Sequence, residues 1–247
     1  MKISQETLNI LKNFSTINKG IVIRKNKPLM TISEQDNIYA VADIAESFPC
    51  DIGIYDLSEF LGTLGLFQSP ILDFGQDNQS DFVVIKEETG NSTVKYRFND
   101  ISLVTSPTES YEIPSVEVEF MLTQTDIQKI QKASSIMGLD DVVVSSDGNK
   151  VLVILRDPKN KLSNFYELDT LAVSDGKKFE FVIKHENLKL ISGGYNVKVS
   201  KEGSVLFSNS NQPLTYLIAL EESSSFTWDL YDYFILIIMW SDYAKRI

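Results

Sequence analysis

Side chains that could carry out catalysis are sparse in this sequence of 247 residues, which contains one histidine, His185, and one cysteine, Cys50. Nucleophilic catalysis needs a base beside the nucleophile, and a structural zinc site needs four nitrogen or sulfur ligands. We therefore interpret His185 as an ordinary residue at the start of a short helix. The sequence predicts no metal site and no cofactor.

Two other patterns bear on chemistry. Asp140 and Asp141 are adjacent carboxylates, but neighbouring side chains diverge in direction and a strand is predicted from Val142, so a turn is favoured over a metal site. The Gly-x-x-x-x-Gly-Lys-Ser/Thr pattern of a nucleotide-binding P-loop is absent from the sequence. The sequence therefore favours a protein without an active site, and an enzyme using the Asp140–Asp141 region is the weakest alternative.

Composition and charge narrow the function classes. The formal net charge of −11 argues against a protein whose whole surface binds nucleic acid, since phosphate binding depends on Lys and Arg, but it allows a local basic face. The longest apolar run, residues 233–240, is far shorter than the roughly 20 residues that cross a bilayer, so no membrane span is expected. The single cysteine allows no internal disulfide and the amino-terminal residues lack a secretory signal pattern, so we expect an intracellular protein.

The first half of the chain predicts a helix, a run of strands, a second helix and further strands. Ser4 can cap the first helix, which runs to about Ile17, and the second covers residues 57–67. The buried side of the first helix is predicted to carry Leu8, Leu11, Phe14 and Ile17. Strands are expected over residues 20–24, 29–33, 38–43, 51–55, 71–74, 81–86 and 93–98.

The second half repeats this order of elements. Residues 125–128 have the spacing of a capping box, and the helix behind them is predicted to bury Ile127, Ile130, Ala133 and Ile136. Strands are expected over residues 142–145, 150–155, 165–171, 178–183, 195–200, 204–208 and 214–220, with a short helix over residues 186–191. A repeat on this scale predicts two tandem α+β domains of one topology.

The domain boundaries follow from composition and from the repeat. Residues 106–116, with Pro107 and Pro114 among small polar residues, are the predicted connector. We therefore expect a first domain over residues 1–105, a second over residues 117–225 and a carboxyl-terminal extension over residues 226–247.

Three segments resemble the DNA polymerase sliding clamps of T-even-type bacteriophages: residues 11–18 with Gly20 and Ile21 behind them, residues 54–57 followed by Phe60, and residues 216–221. The resemblance spans about residues 1–225. It implies the DNA clamp type of α+β fold, in which three two-domain subunits close into a ring with helices on the inner face and antiparallel sheets outside.

The function implied by the resemblance is that of a processivity factor. Such a ring encircles duplex DNA without reading its sequence, tethers the replicative polymerase through the polymerase's carboxyl-terminal peptide, and is placed on DNA by an ATP-driven clamp loader. The implied location is the cytoplasm of the infected bacterial host. A different-class alternative is a β-rich virion protein that forms a ring or shell without DNA inside.

The implied DNA contacts are lysines on the polar faces of the first helix of each domain. Because a sliding ring needs only weak phosphate contacts, Lys12, Lys129 and Lys132 are the leading candidates, and Lys2, Lys184 and Lys189 are weaker ones. The second helix of the first domain carries no basic residue, so the inner charge is expected to be uneven.

The resemblance also implies contacts with proteins. A hydrophobic partner pocket is expected near the connector and the end of the last strand, and its candidate residues are Tyr39, Val41, Ile113, Pro213, Ala219 and Leu220. The subunit interface is expected at the edge strands near Phe98 and Phe165.

The carboxyl-terminal extension departs from the family, whose clamps end soon after the last strand. It resembles the clamp-binding peptides of polymerases, with Leu230 two positions before the aromatic pair Tyr233 and Phe234, and with Trp228 close by. One hypothesis is that these aromatic anchors occupy the pocket of their own or a neighbouring subunit. The alternative is an appended sequence whose apolar run, residues 234–240, is merely adhesive.

Overall fold

The computed structural model of the protein describes residues 1–75, 81–160 and 162–227, and these residues form two compact units. Unit 1 comprises Met1–Glu112, Lys189–Ile191 and Asn211–Leu217, and unit 2 comprises Ile113–Leu188, Ser192–Ser210 and the described residues from Ile218 onwards. Unit 1 therefore includes two short segments that lie in sequence far beyond the expected connector.

Unit 1 combines helices with short antiparallel strands. Its elements, in chain order, are α1 Gln5–Ile17, β1 Ile21–Ile23, β2 Leu29–Ile32, β3 Ile38–Ala42, β4 Ile52–Ile54, α2 Leu57–Leu64, β5 Ile71–Asp73, β6 Phe82–Lys86 and β7 Thr93–Arg97. Strand β1 pairs with β4, β2 pairs with β3, and β5, β6 and β7 form a sheet with β7 at its edge. Helices α1 and α2 pack together through Leu11, Phe14, Leu57 and Phe60, all fully buried.

Unit 2 has longer strands. Its elements are β8 Val118–Leu122, α3 Gln124–Met137, β9 Asp141–Asp147, β10 Lys150–Arg156, β11 Tyr166–Val173, β12 Lys178–Lys184, β13 Tyr195–Ser200, β14 Ser204–Asn209 and β16 Ser225–Thr227, while β15 Leu214–Ala219 lies in unit 1 up to Leu217. An antiparallel sheet has the order β11, β10, β9, β12, β16, and β13 pairs with both β14 and β8. The expected α+β class with antiparallel sheets is confirmed.

The helices differ from the sequence expectation in which residues they bury. In α1 the buried residues are Thr7, Ile10, Leu11, Phe14 and Ile17, whereas Leu8, predicted to be buried, is only half-buried. In α3 they are Ile127, Ile130 and Ser134, so the prediction for Ala133 and Ile136 was wrong, and Ile136 is 82% exposed. On a helix with about 3.6 residues per turn, three residues advance by about 300°, which is about 60° short of a full turn. After three such steps, a residue nine positions on lies on the opposite face of the helix.

Several element boundaries also differ. The capping box of α3 is formed by Thr123 and Asp126, not by residues 125–128. The expected short helix over residues 186–191 is a single 3₁₀ turn, His185–Asn187. Strand β8 was not predicted, although its apolar residues alternate with exposed ones. The expected boundary between residues 225 and 226 falls inside β16, where Phe226 stacks on Phe181 with ring centroids 6.0 Å apart.

No helix among the described residues is long and apolar enough to cross a membrane.

Candidate functional site

The exposed faces of α1 and α3 present the lysines that the sequence singled out. Lys12 lies on the face of α1 with Gln5, Asn9 and Thr16, and all four residues are exposed. Lys129 and Lys132 are exposed on α3 and lie three residues apart, on one side of the helix. None of these three lysines has an ion pair within the part of the chain that the structure describes. Their charges are therefore available to an anionic partner.

Capping interactions at both ends of α3 fix which of its residues face solvent. At its start, the Thr123 backbone N–H donates to Asp126 Oδ2 at 3.0 Å, and the Asp126 N–H donates to Thr123 Oγ1 at 3.2 Å. At its end, Gly138 adopts a left-handed conformation with φ 64°, which glycine reaches without strain. Burial of Ile127 and Ile130 then turns Lys129 and Lys132 towards solvent.

The orientation of α1 depends on residues from late in the chain, all of which belong to unit 1. The fully buried Tyr216 donates its hydroxyl proton to Asn13 Oδ1 at 2.8 Å and accepts from the Ile191 N–H at 3.2 Å. Asn13 Nδ2 in turn donates to the Lys189 carbonyl at 2.8 Å. We call this set of hydrogen bonds the Tyr216 network. It was not foreseen from the sequence, because its members are far apart in the chain.

The three weaker lysine candidates are engaged in other contacts. Lys2 Nζ pairs with Glu88 at 3.1 Å, and Lys189 Nζ donates to the Thr16 carbonyl at 2.6 Å, at the carboxyl end of α1, where a cation is favourable. Lys184 Nζ lies 2.5 Å from Asp141 Oδ1. Their structural contacts leave these lysines less free to bind an anion than Lys12, Lys129 and Lys132.

The Asp141–Lys184 contact is a largely buried ion pair. The Asp141 side chain is 4% exposed and the Lys184 side chain 32%. The hydrogen bond that Lys184 donates to Asp141 raises the pKa of Lys184. In the register of the sheet, Asp141 at the start of β9 faces both Lys184 and Arg156 across the strands. Asp141 is thus neutralised by Lys184, while Arg156 pairs with Glu180 at 3.0 Å. The described residues form no group of three or more acidic, histidine or cysteine side chains that could hold a metal ion.

His185 and Cys50 belong to different units. His185 is half-buried at the start of the 3₁₀ turn of unit 2, and burial lowers its pKa. Cys50 lies in unit 1, and burial raises the pKa of its thiol, which makes it a poorer nucleophile. Neither residue therefore has the surroundings of an activated group.

The expected pocket residues differ in exposure. Tyr39, Val41 and Pro213 belong to unit 1, and Ile113, Ala219 and Leu220 to unit 2. Tyr39 is buried, Pro213 is exposed, and the other four are half-buried. Within unit 1, the exposed Tyr111 covers Tyr39 in an edge-to-face contact with ring centroids 4.9 Å apart. The sequence analysis missed Tyr111, whose place in the proline-containing segment gave no packing signal.

The two residues expected at the subunit interface lie beside sheet edges. Phe98 follows the edge strand β7 and stacks on Phe74 with ring centroids 6.1 Å apart. Phe165 precedes the edge strand β11 and is 65% exposed, with Leu171 and Val173 further along the strand also exposed.

The edge strands β7 and β11 carry charged residues of opposite sign. Strand β7 exposes Lys95 and Arg97, and β11 carries the exposed Glu167 and the half-buried Asp169, which pairs with Lys150 at 2.7 Å. The two edges are therefore complementary in charge, and unpaired sheet edges are templates for association with another chain.

The tail residues Trp228, Leu230, Tyr233 and Phe234 lie outside the described residues.

Comparison with known families matches both halves of the chain. Residues 4–97 match the family described as DNA polymerase processivity factor, and residues 119–222 match the family described as gp45 sliding clamp, C terminal. The sliding clamp of Vibrio phage KVP40 is 30% identical over 226 residues, covering 90% of this chain and 99% of the relative. The sliding clamp of Enterobacteria phage T4 is 29% identical over 235 residues, covering 91% of this chain and 99% of the relative.

Solved structures share the fold at low sequence identity. The proliferating cellular nuclear antigen of A. fulgidus, solved with the C-terminal region of FEN-1 bound, superposes with a TM-score of 0.66 at 13% identity, covering 90% of this chain and 98% of that one. The corresponding protein of Entamoeba histolytica gives a TM-score of 0.63 at 11% identity, covering 87% and 94%.

Proposed function

This chain belongs to the sliding clamp family of DNA polymerase processivity factors, and we propose that three copies close into a ring that encircles duplex DNA and tethers the replicative polymerase. The observation that carries the proposal is the match to phage sliding clamps over 99% of their length. The alternative of a β-rich structural ring or shell gains no support from these relatives.

Contact with DNA is assigned to Lys12, Lys129 and Lys132. Each is exposed on a helix, and none has an ion pair among the described residues. A ring that slides must bind phosphates weakly and without regard to sequence, which long, solvated lysine side chains achieve. Because Lys2, Lys184 and Lys189 are held by contacts within the protein, they are secondary in this proposal.

Ring closure is assigned to the edges β7 and β11. Both lie at the end of a sheet, and they carry cations and carboxylates respectively. Exposed apolar side chains near β11, among them Phe165 and Leu171, would be covered when the edge meets another copy. Association through complementary edges accounts for exposed apolar groups that a monomer would leave in water.

The tether for polymerase is assigned to the residues that the sequence suggested in each unit: Tyr39, Val41 and Pro213 in unit 1, and Ile113, Ala219 and Leu220 in unit 2. The relative from A. fulgidus binds the carboxyl-terminal region of another protein, which supports a peptide-binding role for this fold. Aromatic anchors in a preformed pocket are how such short peptides obtain affinity. The polymerase's carboxyl-terminal peptide is the partner proposed for this surface.

The proposal extends to loading, catalysis and location. The sequence has no P-loop, so a separate ATP-driven clamp loader would open the ring on DNA. The protein itself is proposed to perform no catalysis, consistent with the family of processivity factors. Because the curated relatives are clamps of bacteriophages, the cytoplasm of the infected bacterial host is the proposed location.

Two measurements on the intact protein test the ring. Light scattering over a range of concentrations should give about three times the chain mass of 27.9 kDa. The ring, loaded onto DNA, should then stay on a nicked circle and leave a linearised copy of the same DNA by sliding off its ends. Equal retention on both forms, or a concentration-independent monomer, would contradict the proposal.

The self-occupancy hypothesis for the tail needs its own comparison. Strand β16 ends at Thr227, so a chain ending there keeps the described fold intact. If the tail occupies the pocket, this shortened chain should bind a peptide with an aliphatic residue followed by an aromatic pair more tightly than the full chain does. Equal affinity would eliminate self-occupancy without affecting the ring.

A further inference from the structure

Resting on the proposed function, we infer that the duplex is gripped mainly by α3, through Lys129 and Lys132, and that α1 and α2 contribute little to the grip. The inference concerns where on the ring's inner surface the affinity for phosphates resides. It is carried by the charges that the three helices of the described residues expose.

Helix α3 exposes cations without an exposed opposing charge. Its only acidic residue, Asp126, is held in the capping box by Thr123, whose hydroxyl donates to Asp126 Oδ2 at 2.6 Å. The other exposed residues of the helix are uncharged, among them Gln124, Gln128 and Ser135. Lys129 and Lys132 are neighbours on the helix surface, about 5–6 Å apart at Cβ, so both can reach phosphates of one strand at once.

Helix α1 is electrically balanced. It carries one lysine, Lys12, and one exposed carboxylate, Glu6, in its first turn. Of the lysines that flank the helix, Lys2 is paired with Glu88 at 3.1 Å and Lys19 with Asp56 at 3.5 Å. Lys189 is held at the carboxyl end of the helix, where its Nζ donates to the Thr16 carbonyl at 2.6 Å. A phosphate approaching α1 therefore meets attraction from one side chain and repulsion from another.

Helix α2 is acidic and presents no cation. Glu59 is exposed in its first turn, and Asp56 caps the helix by accepting from the Glu59 N–H at 3.0 Å. Their combined field reaches Tyr96, whose ring packs on Phe60 with centroids 5.1 Å apart. Burial, followed by the charges of Glu59 and Asp56, raises the pKa of Tyr96 to about 12. The surface around α2 thus repels phosphates.

A duplex inside a ring wider than itself settles where phosphate contact is most favourable. Helix α3 exposes two lysines, whereas α2 exposes the carboxylate of Glu59, the charge of Asp56 being offset by Lys19. That place is therefore against α3, and each copy in the ring offers one such place. Between 50 and 200 mM salt, one phosphate contact changes affinity about threefold, so two lysines correspond to about tenfold.

The test measures how salt weakens the binding of the full-length protein to a short fluorescently labelled duplex. Three variants are compared with the unaltered protein by anisotropy at 50 and 200 mM salt: Lys129→Gln with Lys132→Gln, Lys12→Gln alone, and Lys25→Gln with Lys27→Gln. The last pair is the matched control, because these two lysines are exposed in the β1–β2 loop and belong to no helix. Light scattering checks that every variant keeps the mass of the unaltered protein.

The measured quantity is the ratio of the affinity at 50 mM salt to that at 200 mM salt. We expect this ratio to be about tenfold smaller for the α3 variant than for the unaltered protein, less than threefold smaller for Lys12→Gln, and unchanged for the loop control. The inference is overturned if Lys12→Gln weakens binding as much as the α3 pair, or if the α3 pair behaves as the loop control. An unaltered protein that is not retained on circular DNA would instead overturn the proposed function, and this inference with it.

Discussion

At the scale of single residues, His185 is the most informative titrating group, because it is the only histidine in the chain. It is half-buried, and burial lowers its pKa. A base with a lowered pKa in the folded state binds its proton more readily in the unfolded state. The stability it contributes is therefore fully present above the unfolded pKa of about 6.5 and is lost as the pH falls through that value towards the folded pKa.

We accordingly expect the free energy of unfolding to fall between pH 7 and pH 5.5, and the variant His185→Gln to show a flatter dependence over this interval. Ordinary carboxylates titrate mainly below it, with reference pKa values of about 4. Denaturant titrations of both proteins at the two pH values measure the difference. Identical pH dependence would mean that burial of His185 does not affect its ionisation.

The Asp141–Lys184 pair is largely buried, so its charges are expected to stabilise the fold and not to bind a partner. Replacing Asp141 by Asn leaves Lys184 without its partner in a place that is only 32% exposed. Breaking a fully buried pair costs about 3–5 kcal/mol, so for this partly exposed pair we expect the free energy of unfolding to fall by about 2–3 kcal/mol. Denaturant-induced unfolding measures it.

The matched control is the more exposed pair Lys150–Asp169, in which the lysine side chain is 69% exposed. Asp169→Asn should lower the stability only slightly, because exposed pairs contribute little. A loss for Asp141→Asn no larger than that of the control would show that the contact is held weakly.

At the scale of elements, the sequence located most helices and strands because their apolar periodicities are strong. It failed where a simple spacing rule replaced helix geometry: Ile136 is three residues beyond Ala133, yet it lies on the exposed side of α3. It also failed for β8, whose apolar residues alternate with exposed ones but which follows directly on the proline-containing segment expected to be the connector. The helical lysines were predictable from polarity alone, whereas the contacts that hold Lys184 and Lys189 arise from distant residues and have no local signal.

The Tyr216 network makes a prediction for α1. The variant Tyr216→Phe keeps the ring but removes the hydroxyl that contacts Asn13 and the Ile191 N–H. Loss of a buried hydrogen-bonding group costs about 1–3 kcal/mol, and we expect a fall of that size in the free energy of unfolding. Protection of the α1 amides from hydrogen exchange should fall more than that of the α3 amides.

Tyr55→Phe serves as the control, because Tyr55 is 53% exposed and its ring contact with Lys19 does not need the hydroxyl. Its effect on stability should be within about 0.5 kcal/mol. Equal losses in the two variants would argue that the network does not hold α1.

At the scale of the whole molecule, the charges of β7 and β11 predict how copies recognise one another. The double variant Lys95→Glu and Arg97→Glu gives β7 carboxylates, so both edges are then acidic. The double variant Glu167→Lys and Asp169→Lys gives β11 lysines, so both edges are then basic. Each reversal should raise the concentration at which half the rings dissociate by about tenfold or more, since surface pairs are worth up to about 1 kcal/mol each.

All four substitutions together should restore association, because the two edges are again complementary. Sedimentation or light scattering against concentration follows the assembly, and reversal of Lys25 and Lys27 in the β1–β2 loop controls for net charge. If the fourfold variant associates no better than either single-edge variant, the two edges do not meet in the ring.

The Tyr216 network also has a consequence for how the protein is made. Asn13 and its partner Tyr216 are separated by 203 residues. A ribosome adds about 5–20 residues per second, so α1 emerges on the order of 10–40 s before the strand that completes its surroundings. Unit 1 is thus the first to be started and among the last to be finished during synthesis. A chain cut short before residue 216 would lack the hydroxyl that donates to Asn13 Oδ1, so the first helix would be held by fewer hydrogen bonds than in the finished protein.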